Sequence, residues 1–282
     1  MYKKIIPVLA LCGLWSCGNN ETTTTEPPAQ TATPPAVATT PSAPAALIPF
    51  KVKATHPHDT TLFVEGFLVH EGKVYESTGA PDNIPFTRSL IGILNLKTGK
   101  LDEKIEIDRN IYFGEGIVLL NNKIYQLTYQ NQKGFIYDAT TFKRTGEFSY
   151  ANKEGWGFTT DGQKLIMSDG SATLTFLNPD NQQVTGTLTV KENGNPVNNL
   201  NELEYIKGFI YANIWMTNYI VKIDPATGNI VGKLNMNDLS NDARTKYRNA
   251  QEMNGIAYDA AADKIYVTGK MWPTIYEVEF EH

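Results

Sequence analysis

EGKVYEST at Glu71–Thr78 returns four more times along the chain, as NNKIYQLT (Asn121–Thr128), DGQKLIMSDG (Asp161–Gly170), IKGFIYANIW (Ile206–Trp215) and ADKIYVTGK (Ala262–Lys270). Each copy is a polar or Gly/Asn turn followed by a short strand of aliphatic and aromatic residues. Aligning Tyr75, Tyr125, Ile166, Tyr211 and Tyr266 gives spacings of 50, 41, 45 and 55 residues. A second phrase follows four of the copies: ILNLKTGKL (Ile93–Leu101), IYDATTFKRTG (Ile136–Gly146), FLNPDNQQVTG (Phe176–Gly186) and KIDPATGNIVG (Lys222–Gly232). It reads as strand, Asx-Pro or Thr-Gly turn, strand. Short strands and turns repeating at this period signal a β-propeller with one four-stranded sheet per blade. Only Asp238–Tyr247 reads as a helix, and a short one.

Five copies fill the chain from Leu47 to His282. After the fifth, a single strand remains, Thr274–Phe280. The alternating segment Ile48–His56 has no copy before it, so it is expected to complete the last blade. The fold class predicted is all-β: a five-bladed propeller closed by pairing of its N- and C-terminal strands. Closure removes the free sheet edge that invites aggregation. Five copies and one missing strand favour this ring over a two-sheet sandwich.

Composition narrows the function. The 282 residues carry 25 Lys+Arg against 30 Asp+Glu, a net charge of -5, which argues against a basic nucleic-acid binder. Two cysteines and four histidines give no metal-ligand spacing and no disulfide framework. The first 16 residues read as a secretory leader: two lysines, a short apolar run, then Leu14-Trp15-Ser16 before Cys17. That four-residue stretch resembles the bacterial lipobox, which implies lipidation of Cys17 and a lipid-anchored place in the bacterial cell envelope. Residues 17–46 are expected to be a disordered tether. Its stretch Glu21–Ala46 is mostly Thr, Pro and Ala, with Val37 its one branched aliphatic residue, so it lacks the apolar surface to fold. The propeller is expected to occupy 47–282, as a monomer.

Candidate chemistry sits where the innermost strands begin: Phe63–Gly66 (FVEG), Phe113–Gly116 (FGEG), Glu154–Gly157 (EGWG), Leu200–Glu204 (LNELE) and Met253–Ile256 (MNGI). A second set follows the repeated strand: Ser77–Gly79, Tyr129–Gln130, Ser168–Ser171, Trp215 with Thr217, and Gly269–Pro273. Glycine beside a functional side chain lets backbones crowd near the axis. One mouth is thereby predicted to collect Glu65, Glu115, Trp156, Asn201, Glu202, Trp215, Asn254 and Lys270. Different polar residues at repeat-equivalent places point to a site, where a purely architectural device recurs as one residue type. Aromatic walls raise a carboxylate's pKa, so a Glu there is suited to shuttle a proton. A Lys and an Asn are suited to steady an oxyanion. Neither a Ser-His-Asp set nor a Cys nucleophile is available.

FGEG, YQLTYQ, EGWG, LIMSDGS, LNELEY, YANIW, MNGIAYD and VTGKMWP, in this order over Phe63–Phe280, closely resemble the plant-type glutaminyl-peptide cyclotransferases and their bacterial relatives. The resemblance implies a five-bladed propeller that converts the N-terminal glutamine of peptides or proteins to pyroglutamate, releasing ammonia, with no cofactor and no metal. It implies Glu115 as general acid/base, with Lys270 and Asn201 as catalytic partners. Trp156, Trp215, Phe63, Phe113 and Glu65 then hold the substrate. One position departs: the first motif of the family usually reads F-T-Q-G, and here Glu65 stands at the Gln. Apart from this resemblance two other readings stand. One is a non-catalytic binding or scaffold propeller of the envelope, IYVTGK being similar to the YVTN-like repeats of surface-layer propellers. The other is a calcium-dependent lactonase-type propeller.

Overall fold

The computed structural model describes residues 45–282. The leader over 1–16, Cys17 and the tether as far as residue 44 lie outside the described residues. Five antiparallel sheets follow in chain order, each running from the axis outward. Blade 1 is Val64–His70, Lys73–Thr78, Leu90–Asn95 and Lys100–Glu106; blade 2 is Gly114–Leu120, Lys123–Thr128, Lys133–Asp138 and Arg144–Ser149. Blade 3 is Phe158–Thr160, Leu165–Met167, Thr173–Leu177 and Val184–Thr189; blade 4 is Leu200–Ile206, Phe209–Ile214, Tyr219–Ile223 and Ile230–Asn235. Blade 5 is Met253–Asp259, Lys264–Gly269, Thr274–Phe280 and, from the other end of the chain, Phe50–Pro57. That strand pairs antiparallel with Thr274–Phe280, from Phe50↔Phe280 to Pro57↔Thr274, which closes the ring as the repeats predict. The innermost strands touch in cyclic order, blade 5 against blade 1.

The repeated phrase shows its purpose in the packing. Tyr75, Tyr125, Ile166, Tyr211 and Tyr266 lie on the second strands, and all are buried. Each clusters with apolar residues of the next blade: Tyr75 with Ile117, Tyr125 with Phe158, Ile166 with Leu203, Tyr211 with Ile256, and Tyr266 with Phe67. Burial of one such side chain is worth roughly 1.5–3 kcal/mol, so the repeat is the glue between blades. The outer turns follow their Asx residues. Asn95, Asp138, Asn178 and Asp224 each accept a hydrogen bond from the backbone N–H two residues on, at 2.8–3.1 Å.

Three features stand outside the simple repeat. Ala46, the last residue assigned to the tether, is already in a two-residue strand with Leu47, parallel to Ile230–Asn235 of blade 4. A small hairpin, Lys191–Glu192 with Asn195–Pro196, joins blades 3 and 4. Its Asn193-Gly194 turn has φ of 53° and 81°, the conformation that favours Asn-Gly; the repeat alignment passed over this signal. The expected helix forms over Asn237–Lys246 and buries Leu239, Ser240 and Ala243 beside Met236 and Trp272.

Candidate functional site

The site residues stand on bulges. Glu65 falls between the pairs Val64↔Thr78 and Gly66↔Ser77, where the register shifts. Glu115 and Gly116 fall between Gly114↔Thr128 and Ile117↔Gln126, Asn201 and Glu202 between Leu200↔Ile214 and Leu203↔Ala212, and Asn254 and Gly255 between Met253↔Gly269 and Ile256↔Val267. A bulge re-aims side chains that regular pleating would fix. Four of five blades thus break register at the same point, the mouth end of the innermost strand. Blade 3 starts late, at Phe158, and leaves Trp156 on the approach to it.

The glycines of these motifs lie against the next blade. A Cβ on Gly66 would stand 2.7 Å from the Ile117 nitrogen, one on Gly116 2.5 Å from the Trp156 carbonyl oxygen, and one on Gly157 2.0 Å from the Asn201 carbonyl oxygen. Hydroxyls and amides of the second strands then fix the bulges. Ser77 Oγ donates to the Glu115 carbonyl at 2.7 Å, Ser168 Oγ to the Asn201 carbonyl at 2.7 Å, and Gly255 N–H donates to Asn213 Oδ1 at 3.0 Å. Ser77, Ser168 and Asn213 each lie two residues beyond the aligned Tyr75, Ile166 and Tyr211. Ser77 and Ser168 open stretches of the second candidate set and serve here to position the bulges; Asn213, at the equivalent place in blade 4, was outside that set.

The eight catalytic and substrate-holding residues that the resemblance implies line one cavity of about 270 Å³: Glu115, Lys270, Asn201, Trp156, Trp215, Glu65, Phe63 and Phe113. Tyr129, Pro81, Gln251 and Glu252 complete it. Tyr129 was in the second set of candidates; Gln251 and Glu252 precede the MNGI motif and carried no repeat signal. Two expectations are corrected. Glu202 and Asn254 are not among the residues lining the cavity. Glu202 accepts from Phe67 N–H at 3.2 Å and Ile256 N–H at 2.8 Å, bracketing blades 1 and 5 from blade 4. Asn254 Nδ2 donates to the Val64 carbonyl and to Glu65 Oε2, both at 3.0 Å. Their bulges turn both onto neighbouring backbone, and Asn254 also onto Glu65.

Charge is concentrated and poorly solvated. Lys270 Nζ meets Glu65 Oε1 at 2.7 Å and lies 4.7 Å from the centre of the Phe63 ring. Burial pushes the Glu65 carboxyl up to about 7, against the pull of Lys270. Burial works against the Lys270 ammonium, but Glu65 and Glu115 outweigh it and hold its pKa above the usual lysine value. Glu115 is 5% exposed, and among the described residues no group donates a hydrogen bond to its carboxyl. Burial first, then the charge of Glu65, raise its pKa well above the usual carboxylate range, with Lys270 opposing. Two aromatic walls enclose these groups. Phe63 and Phe113 stand edge to face at 6.2 Å, and Trp156 and Trp215 at 5.5 Å. Glu154 steadies Trp156 by accepting its indole N–H at 2.9 Å, while a Cβ on Gly170 would meet the ring at 2.7 Å. A buried carboxyl with a raised pKa, a fixed cation, a side-chain amide and aromatic walls suit acyl transfer with proton shuttling.

A model of the glutamine cyclotransferase family matches residues 24–280. The chain belongs to the glutamine cyclotransferase family. It is 35% identical to the glutaminyl-peptide cyclotransferase of Arabidopsis thaliana over 233 residues, 82% of this chain and 71% of that protein. The crystal structure of Myxococcus xanthus glutaminyl cyclase is 32% identical to it with a TM-score of 0.76, covering 84% of this chain and 98% of that one. Membership in the glutamine cyclotransferases makes the chain an enzyme, and the five-bladed ring agrees with the solved cyclase.

Proposed function

We propose that this chain is a metal-independent glutaminyl-peptide cyclotransferase in which Glu115 carries the proton. The observation that carries the reading is the Glu115 carboxyl: buried, without a hydrogen-bond donor among the described residues, and facing a cavity walled by aromatics. The N-terminal Gln of a peptide enters with its side chain curled between the walls. Glu115 takes a proton from the α-amine as its nitrogen bonds to the γ-carbonyl carbon. Lys270 and Asn201 bear the negative charge that develops on the carbonyl oxygen. The C–N bond to the amide nitrogen then breaks, Glu115 returns the proton to that nitrogen, and ammonia leaves. The attack is intramolecular, so holding the substrate curled supplies much of the rate. The Glu65 contact keeps Lys270 in place, and Asn254 keeps Glu65.

The test is ammonia release from a Gln-initiated peptide. Replacing Glu115 by Gln keeps shape and removes the titrating group, so kcat falls about 100- to 10,000-fold with the melting temperature unchanged. Near-wild-type turnover in a folded Glu115→Gln protein excludes the role. The steps use side chains alone, so a chelator leaves the rate unchanged; inhibition by EDTA, reversed by zinc, contradicts that part. Lipidation at Cys17 and envelope anchoring are further proposals, motivated by Leu14–Cys17 and the Thr/Pro/Ala stretch behind it. They fail if a chain begun at Ala45 stays in the membrane fraction.

A further inference from the structure

The catalytic cavity is sized for one residue, yet a peptide must leave it after its first. A second, open cavity of about 440 Å³ adjoins it and shares the walls Pro81, Phe113 and Tyr129. It lies toward blades 1 and 2, between the loop over 79–89 and the segment over 107–113. The equivalent loops of the other blades span only 129–132, 168–172, 215–218 and 270–273, so blade 1 alone spends extra chain here. That chain is held firmly. The Arg109 guanidinium donates to the carbonyls of Pro85 and Thr87 at 2.8 and 2.6 Å and of Pro81 at 3.2 Å. Asp108 closes a turn with Asn110 N–H at 2.9 Å and Tyr112 N–H at 2.8 Å, and Asn131 Nδ2 ties the Ile111 carbonyl to blade 2 at 3.0 Å. The turn presents Ile111, 57% exposed, along a groove whose charges, Asp82 and Arg109, balance.

On the reading of the site above, we infer that this groove receives the second and third residues of the substrate peptide and favours apolar side chains there, resting on Ile111. A preformed groove continuous with the site lets the remote part of a substrate add binding without ordering loops.

The experiment compares glutaminamide, which ends inside the catalytic cavity, with the tripeptide amide Gln-Leu-Leu-NH2 on the full chain. Wild type should process the tripeptide with kcat/KM about tenfold or more above glutaminamide, the scale of burying one aliphatic side chain. Ile111→Asp should erase that advantage while leaving glutaminamide within about twofold of wild type, as an exposed substitution does. Equal rates on both substrates in wild type overturn the groove, as does an advantage that survives in Ile111→Asp. So does loss of the advantage in Met216→Ser instead, since Met216, 64% exposed beside Trp215, marks a path over blade 4. If wild type processes neither substrate, the cyclotransferase reading fails and the groove with it.

Discussion

Glu65 is the site residue whose surroundings give its replacement by Gln a sign. Its carboxyl is buried, bonded to Lys270 at 2.7 Å and to Asn254 at 3.0 Å, and its charge raises the pKa of Glu115. In the proposed role Glu115 must be ionised to accept a proton, so activity is expected to climb as pH rises through its pKa. Glu65→Gln removes the like charge and also frees Lys270 to face Glu115. Both changes stabilise the Glu115 carboxylate, so the acidic limb of kcat/KM against pH moves to lower pH in the variant. The two carboxyls titrate as a pair, so the limb reports the pair and not one residue. Superimposable profiles for the two proteins remove Glu65 from the site. The residue itself was legible from the FVEG motif, and so was its place at the mouth. Lys270 was legible as one possible partner at the same mouth, with solvent as the other; the ring brings the two together across 205 positions and decides between them.

At the scale of the element, the bulged start of the innermost strand does the positioning, and its glycines set how close the blades approach. A methyl group at Gly157 would lie 2.0 Å from the Asn201 carbonyl oxygen, which is backbone held in turn by Ser168. Gly157→Ala therefore forces blades 3 and 4 apart at the point where Trp156 and Asn201 are mounted. It should cost roughly 1–3 kcal/mol of stability, as overpacking does, and lower kcat/KM more than the stability loss explains. Gly186→Ala on the outer strand of blade 3, where a Cβ meets nothing within 4 Å, is the control and should change neither. Equal melting temperatures for the two variants defeat the argument. The motif Glu-Gly or Trp-Gly was visible in the sequence, and crowding near the axis was the reason given for it. The register breaks were not visible, because a bulge adds no residue type of its own; it is defined by which partner each residue misses. For the same reason Glu202 and Asn254 read as mouth residues, although their side chains turn onto backbone and onto Glu65.

The described residues form a ring held shut by the strand Phe50–Pro57. Phe50–Pro57 supplies the outer edge of blade 5, and just before it Ala46–Leu47 grips blade 4, with Ile48 N–H bonded to the Lys233 carbonyl at 2.7 Å. The repeat count and the unpaired segment at each end made this closure readable, since five similar units and one missing strand have one simple solution. The grip on blade 4 was not readable, because two residues carry no period. The two truncations that follow have opposite outcomes. A chain begun at Ala45 keeps every described residue, so it should be folded, active and released from membranes if the segment before it acts as lipid anchor and tether. A chain begun at His58 loses the closing strand and leaves Thr274–Phe280 with an unpaired edge, next to the cluster of Tyr276, Val278 and Phe280. An exposed apolar edge of seven residues is a template for pairing with another copy. That protein should elute as aggregate on gel filtration and melt without a cooperative transition, even though every residue lining the proposed site is still present. A monomeric, active chain from His58 would show that the innermost strands hold the ring by themselves and that the closing strand adds only a cover.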